Sequence, residues 1–390
     1  MNKEKLDRLQ GVLDEMVETS FVAGVNCLVL EHGKEVGYYE AGYRDLKSRK
    51  SLSRDTIFLL YSMTKPITAA VTMLLMEEGR VDLLDPVSKY ISGFRNQKVI
   101  QDGKMVPTYK EVTIKDLLSM TSGIVYGGIE TLAEEEMGKV FNKINEKLLG
   151  ETAYTTLQVA EQIGGCPLKF QPGTKWQYGA SADVLGAVVE CVSGMKFGEF
   201  LKKRIFEPLE MKDTAFYVPE EKKERLSKVY QVVEGELVEY RGNHLGIMTD
   251  MPKYPKFESG GAGLVSTIDD YARFVTMLMN KGTYNGRRIL APKTVEYMTS
   301  CHLDEKVKTY YNWDSLAGYS YGNLMRVMID SGLAVINGTN GEYGWDGWLG
   351  PYFMNDPVHK LTILMMQQRT DSGTTAYTRK IRNIVAGALE

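Results

Sequence analysis

Ser62 and Lys65 stand three residues apart in the stretch Ser62-Met63-Thr64-Lys65. On a helix that spacing puts both side chains on one face, an amine beside a hydroxyl. A serine hydroxyl is a weak nucleophile until a neighbouring base takes its proton. A lysine can be that base when burial and nearby positive potential lower its pKa. Pro66 is tolerated only in the opening turn of a helix, which places Ser62 at the helix N-terminus, where free N–H groups and the dipole favour an anion. Taken alone, S-x-x-K is also the pattern of an ordinary helix start. Two further stretches stand out, Trp176-Gln177-Tyr178-Gly179-Ala180-Ser181-Ala182-Asp183-Val184-Leu185-Gly186 and Gly344-Trp345-Asp346-Gly347-Trp348-Leu349-Gly350. Singly, the first reads as a turn into a buried helix with Tyr178 as a packed aromatic. The second reads as a glycine-rich loop with core tryptophans.

In this order and spacing the three stretches resemble the serine β-lactamase and penicillin-recognising superfamily. The closest likeness is to its class C-like branch, which includes family VIII carboxylesterases, D-aminopeptidases and related acyltransferases. The resemblance covers most of the chain and is supported by Leu117-Leu118-Ser119-Met120-Thr121-Ser122-Gly123, Phe170-Gln171-Pro172-Gly173 and Gly260-Gly261-Ala262-Gly263-Leu264. It implies an α+β fold, an α/β sandwich of the β-lactamase/transpeptidase type with an antiparallel sheet flanked by helices and an inserted, mainly helical domain. It implies that Ser62 is the acylated nucleophile and Lys65 its helix neighbour. Tyr178 aligns with the tyrosine of the family's Y-x-N motif and shares the base role as a tyrosinate, its pKa lowered by a cation such as Lys65. The oxyanion hole falls to the backbone N–H groups of Ser62 and Trp348.

Two positions depart from class C β-lactamases. Ala180 replaces the asparagine of Y-x-N, and Trp345 replaces the lysine of K-T-G. Both replaced groups help to hold and turn over β-lactams, and a tryptophan at the latter place looks like the W-x-G of family VIII esterases. Asp346 adds negative charge beside the mouth and is expected to disfavour an anionic substrate. With Gly347, these residues form the substrate-facing third motif; Tyr61, Tyr126, Tyr319 and Trp348 are candidate wall residues of an acyl pocket. The expected activity is a serine hydrolase working through an acyl-enzyme on Ser62, foremost a carboxylesterase on short neutral esters. The alternatives are a β-lactamase or D-amino-acid peptidase or acyltransferase of the same superfamily and, from another class, a non-catalytic or slowly acylated penicillin-binding-like sensor. Steady turnover of p-nitrophenyl acetate separates the hydrolase from the sensor, which gives a single burst.

Gly318-Tyr319-Ser320-Tyr321-Gly322 matches G-x-S-x-G, the nucleophile elbow of α/β hydrolases, and Asp346 or Asp356 and His359 follow in the required order. The elbow needs strand, sharp turn and helix, whereas Asn323 to Ile329 reads as a hairpin strand.

The elements that must position these residues follow from periodicity. Apolar residues at helical spacing mark residues 4–18 and a helix from Ile67 to Glu78 ended by Gly79. Residues 25–30 and 35–43 read as a hairpin. Helical segments are expected at 113–120, 131–149, 156–163 and 181–206, and Ser266-Thr267 caps another through Met279. Strands are expected at 321–329, 333–337, 350–356 and 361–367, with a last amphipathic helix over 374–388. Strand-rich ends around a helical middle predict an α/β domain of residues 1–84 and 255–390, interrupted by a mainly helical domain of residues 85–254.

Composition closes off other classes. At 390 residues the chain is long enough for two domains. Its 47 basic and 50 acidic residues give a net charge of −3, without the basic excess of a nucleic-acid binder. Cys27, Cys166, Cys191 and Cys301 form no C-x-x-C pair, and His32, His244, His302 and His359 no metal-binding helix motif, so neither a disulfide framework nor a metal is expected. His32 reads as a turn residue, His302 and His359 as surface, and the run Glu220 to Arg225 as a solvated helix face. No phosphate-binding glycine loop occurs, and no cofactor is expected. The N-terminus is charged rather than apolar, unlike a secretory leader, and no apolar run reaches membrane-spanning length. A cytoplasmic enzyme with a small-molecule ester, amide or lactam substrate is the expected reading.

Overall fold

The computed structural model describes residues 1–300, 303–308, 311 and 313–390; Cys301 and His302 lie outside the described residues. In chain order its main elements are α1 (Arg8–Glu18), β1 (Gly24–Glu31), β2 (Lys34–Asp45), β3 (Lys50–Ser51), α2 (Thr64–Glu77), α3 (Leu132–Glu146), α4 (Thr156–Gly164), α5 (Ser181–Ser193) and α6 (Ile268–Met279). They continue with β4 (Tyr319–Gly322), β5 (Met325–Met328), β6 (Tyr343–Asp346), β7 (Tyr352–Asp356), β8 (Leu361–Gln367) and α7 (Ala376–Gly387). The eight strands form one sheet in the order β4-β5-β6-β7-β8-β1-β2-β3, and every neighbouring pair is antiparallel. This is the β-lactamase/transpeptidase arrangement that the motifs imply.

Strand alternation divides the core into two layers. Successive side chains of a strand point to opposite faces. Val25, Cys27 and Val29 of β1, with Ile363 and Met365 of β8, therefore meet Leu9, Leu13 and Met16 of α1 and Ile381 and Val385 of α7. The alternate residues Leu28, Leu364 and Met366 join Ile67, Ala70, Val71 and Leu74 of α2 and Phe274 and Val275 of α6 in the larger cluster, which runs on into the 85–254 region through Val140 and Val188. Residues in the strand centre are apolar on both faces because both faces are covered.

Three expectations are corrected. Segment 181–206 is not one helix: Gly194 takes φ +71 and closes α5 in a left-handed cap, a conformation glycine adopts without a Cβ penalty. Segment 321–329 is not one strand either. Asn323 and Leu324, both with positive φ, turn β4 back into β5. The third concerns 333–337, which forms no strand; Ser331 N–H is captured by Asn340 and Gly332 N–H by Asp330, so the backbone spends its donors on side-chain turns. The strand lies instead at β6, in the stretch read as a glycine-rich loop. Among the described residues no helix is long and apolar enough to cross a membrane.

Candidate active site

The turn that carries Ser62 is held before the helix begins. Phe58–Leu59 pairs antiparallel with Val265–Ser266. Gln368 clamps Leu59 from both sides, accepting from its N–H at 3.1 Å and donating to its carbonyl at 3.0 Å. Tyr61 then takes φ +45, an uncommon conformation for a bulky residue. A 3-10 turn over Tyr61–Met63 presents Ser62 at the start of α2. Tyr271 fixes that turn by donating to the Met63 carbonyl at 2.8 Å.

Lys65 lies beneath, fully buried. Its Nζ is 3.0 Å from Ser62 Oγ, 2.8 Å from the Gly261 carbonyl and 3.2 Å from the Tyr126 hydroxyl. Burial pushes its pKa down to about 7, against the Asp183 and Asp346 carboxylates, which raise it. A neutral amine has two N–H donors and one lone pair. With the donors spent on Gly261 and Tyr126, the lone pair is left for the Ser62 proton. Asp183, buried on α5, accepts from the Ser259 hydroxyl and from Gly261 N–H, so it holds the residue whose carbonyl anchors Lys65. Thr68 and Thr64 bond the same glycine-rich strap at Gly260 and Leu264.

Tyr178 joins the pair, hydrogen-bonded to Ser62 and accepting from the Trp345 indole N–H at 3.1 Å. The structure corrects its ionisation. Burial pushes the phenol well above its usual range, outweighing its hydrogen bonds with Ser62 and Trp345, which lower it. Lys65 Nζ sits over the ring, 4.7 Å from its centroid, instead of at the oxygen. Tyr178 is therefore a neutral phenol, and Lys65 the group able to titrate near neutrality.

The third motif closes the site. β6 delivers Trp345 against Tyr178, with ring centroids 5.5 Å apart, and Gly347 passes so close to Leu60 that a Cβ would stand 2.3 Å from the Leu60 carbonyl oxygen. That approach brings the Trp348 amide to the Ser62 turn. Among the described residues neither the Ser62 nor the Trp348 N–H donates to another protein group. Both are free for an oxyanion. Gly347→Ala is expected to push this segment away from Leu60, lowering Tm and lowering kcat on p-nitrophenyl acetate by about 10², the order of one lost oxyanion donor; an unchanged kcat would remove Trp348 from that role.

Other expected site residues are placed as follows. Tyr126 packs edge-on to Tyr178 at 5.9 Å, and Tyr61 lies under Trp348 at 5.0 Å. Tyr319 is not brought to the site; its hydroxyl is bonded within the buried Glu342–Arg382 pair. Tyr321 instead meets Trp345, at 5.1 Å. Asp346 is not a free negative charge, because Arg326 pairs with it and Thr374 donates to it at 3.2 Å. The G-x-S-x-G serine, Ser320, is buried in β4. Among the described residues no cluster of three or more His, Cys, Asp or Glu side chains is arranged to hold a metal.

Asp183, Arg326 and His244 were not singled out from sequence. Two signals were present: an acid inside the apolar helix Ala182–Val189, and an arginine inside the apolar strand Met325–Met328. His244 carried none. It stacks on Trp348 at 4.0 Å, and burial pushes its pKa down to about 4, so a neutral ring covers Trp348.

Comparison with known proteins agrees with this geometry. The sequence profile described as Beta-lactamase matches residues 9–387. Protein Rv1367c of Mycobacterium tuberculosis is 29% identical over 373 residues, 93% of this chain and 90% of that protein. Esterase EstB of Burkholderia gladioli is 29% identical over 285 residues, 68% of each chain. The solved structure of EstCE1, described as a hydrolase with promiscuous acyltransferase activity, superposes with a TM-score of 0.82 at 25% identity, covering 98% of this chain and 99% of that one.

Proposed function

From the premise that the chain belongs to the beta-lactamase family of serine hydrolases, we propose that it is a carboxylesterase acting on short neutral esters through an acyl-enzyme on Ser62. The observation that carries this reading is the buried Lys65 amine 3.0 Å from Ser62 Oγ, with its pKa near 7. Ser62 Oγ attacks the ester carbonyl carbon as its proton passes to Lys65 Nζ. The tetrahedral oxyanion lies between the Ser62 and Trp348 amides. Collapse breaks the bond to the alkoxide, which takes the proton held by Lys65 Nζ while the Tyr178 phenol hydrogen-bonds to it. Water then attacks the acyl-enzyme, with the same groups working in reverse. The esterase names of EstB and EstCE1's hydrolase description support the substrate class.

Specificity rests on the third motif. A β-lactam presents a carboxylate, and Trp345 occupies the place where relatives offer a lysine. Its indole N–H is spent on Tyr178. Asp346 adds little repulsion once Arg326 neutralises it, so the missing cation is the larger effect. One lost charge-assisted hydrogen bond costs about 1.5–3 kcal/mol, roughly one to two decades in the specificity constant. The best short p-nitrophenyl ester is therefore expected to exceed nitrocefin in kcat/KM by at least a factor of about 10 under one buffer and pH. A nitrocefin value equal to or above the ester would replace the esterase reading with a β-lactamase one.

A further inference from the structure

Arg326 is a cation in an apolar strand. It is 3% exposed, and its Nη2 has no hydrogen-bond partner among the described residues. Burying a guanidinium this deeply is costly unless a charge answers it. Its one ion pair among the described residues is with Asp346, and Thr374 bonds both partners. Asp346 ends the strand that carries Trp345, whose indole bonds the Tyr178 hydroxyl, and its carboxylate acts on Lys65 through its field.

The charges on each side can be followed. Lys65 faces the hydroxyls of Ser62 and Tyr126 and the ring of Tyr178, and lies in the field of Asp183 from α5 and Asp346 from β6. Arg326 faces Asp346 and lies over the rings of Tyr352 at 4.9 Å, Trp345 at 5.5 Å and Tyr319 at 5.8 Å, with Tyr311 also in its field. Glu342 is answered by Arg382 at 2.7 Å, so it does not compete for Arg326. Arg379 lines the same small cavity as Arg326 and Arg382 and adds no negative charge. Asp346 is therefore the carboxylate near Lys65 that Arg326 can cancel, while Asp183 remains bonded to Ser259 and Gly261.

We propose that Arg326 is a positioning residue for the reaction: by cancelling the Asp346 carboxylate at the end of β6, it keeps Lys65 available as a neutral base. This rests on the Ser62–Lys65 reading of the site. An unanswered carboxylate favours the ammonium form and moves the activity of a lysine base to higher pH; an unanswered guanidinium moves it lower.

The test is the acid limb of the kcat/KM–pH profile for a short p-nitrophenyl ester, measured in the full chain. Arg326→Gln is expected to move the limb up by about one pH unit, and Asp346→Asn to move it down. The double variant Arg326→Gln/Asp346→Asn returns it close to wild type, and Arg326→Lys, which keeps the cation, stays near wild type. A purely structural role would change rates and Tm without moving the limb in opposite directions. Should Arg326→Gln fail to fold, Asp346→Asn against the double variant decides: a lower limb restored in the double supports the inference, and coincident limbs overturn it. Failure of the underlying reading is distinct, because the wild-type limb would then survive Lys65→Ala or Ser62 would remain unlabelled by an acylating probe.

Discussion

Ser62→Ala is expected to lower ester turnover by roughly 10⁴- to 10⁶-fold, the range reached when the nucleophile of an acyl-transfer site is removed. The expectation follows from position. Ser62 is the part-exposed hydroxyl at the head of α2, with the Lys65 amine at 3.0 Å and two free amides beside it. Removing Oγ leaves the Lys65 bonds to Gly261 and Tyr126 in place. The variant should therefore fold with a Tm close to wild type and lose the chemical step alone. Retained steady turnover of p-nitrophenyl acetate would place the nucleophile elsewhere.

Lys65→Ala is the second large effect. Loss of a positioned general base costs roughly 10² to 10⁴ in rate, and here the amine also closes the contact between α2 and the glycine-rich strap. The sign of its pH dependence is set by the base form. With a pKa near 7, Lys65 is ammonium and inactive below that point and becomes the neutral base as pH rises through it, so wild-type activity should climb through neutral pH. Lys65→Ala should abolish that limb. Tyr178→Phe should lower kcat by a similar order and yet keep the limb near pH 7, because the phenol is pushed up and does not titrate there. A limb that vanished in Tyr178→Phe and survived in Lys65→Ala would reverse the two roles.

These roles were only partly legible in the sequence. The Ser62–Lys65 spacing, with Pro66 confining Ser62 to the helix start, was enough to place both groups, because a helix repeat and a proline are local constraints. The hairpin over 24–45 and the capped helix ending at Met279 were legible for the same reason. The protonation state of Tyr178 was not, since it depends on burial by Trp176, Trp345 and Tyr126, which come from distant parts of the chain. Asp346 read as an exposed negative charge because its partner, Arg326, is twenty residues away on another strand and meets it only through sheet register. β6 was missed because Gly344 and Gly347 look like loop residues. Gly344 lies flat against Phe353 of β7, where a Cβ would meet the Phe353 carbonyl at 2.1 Å. Packing, and not flexibility, excludes a side chain there.

Acylation of Ser62 can be read directly by intact mass and peptide mapping after exposure of the full chain to a fluorophosphonate probe. One adduct is expected, on the peptide containing Ser62, and none in Ser62→Ala. Ser320, which is fully buried and bonded to Leu303 N–H at 3.0 Å, should stay unmodified; a single adduct on Ser320 with Ser62 untouched would contradict the assignment.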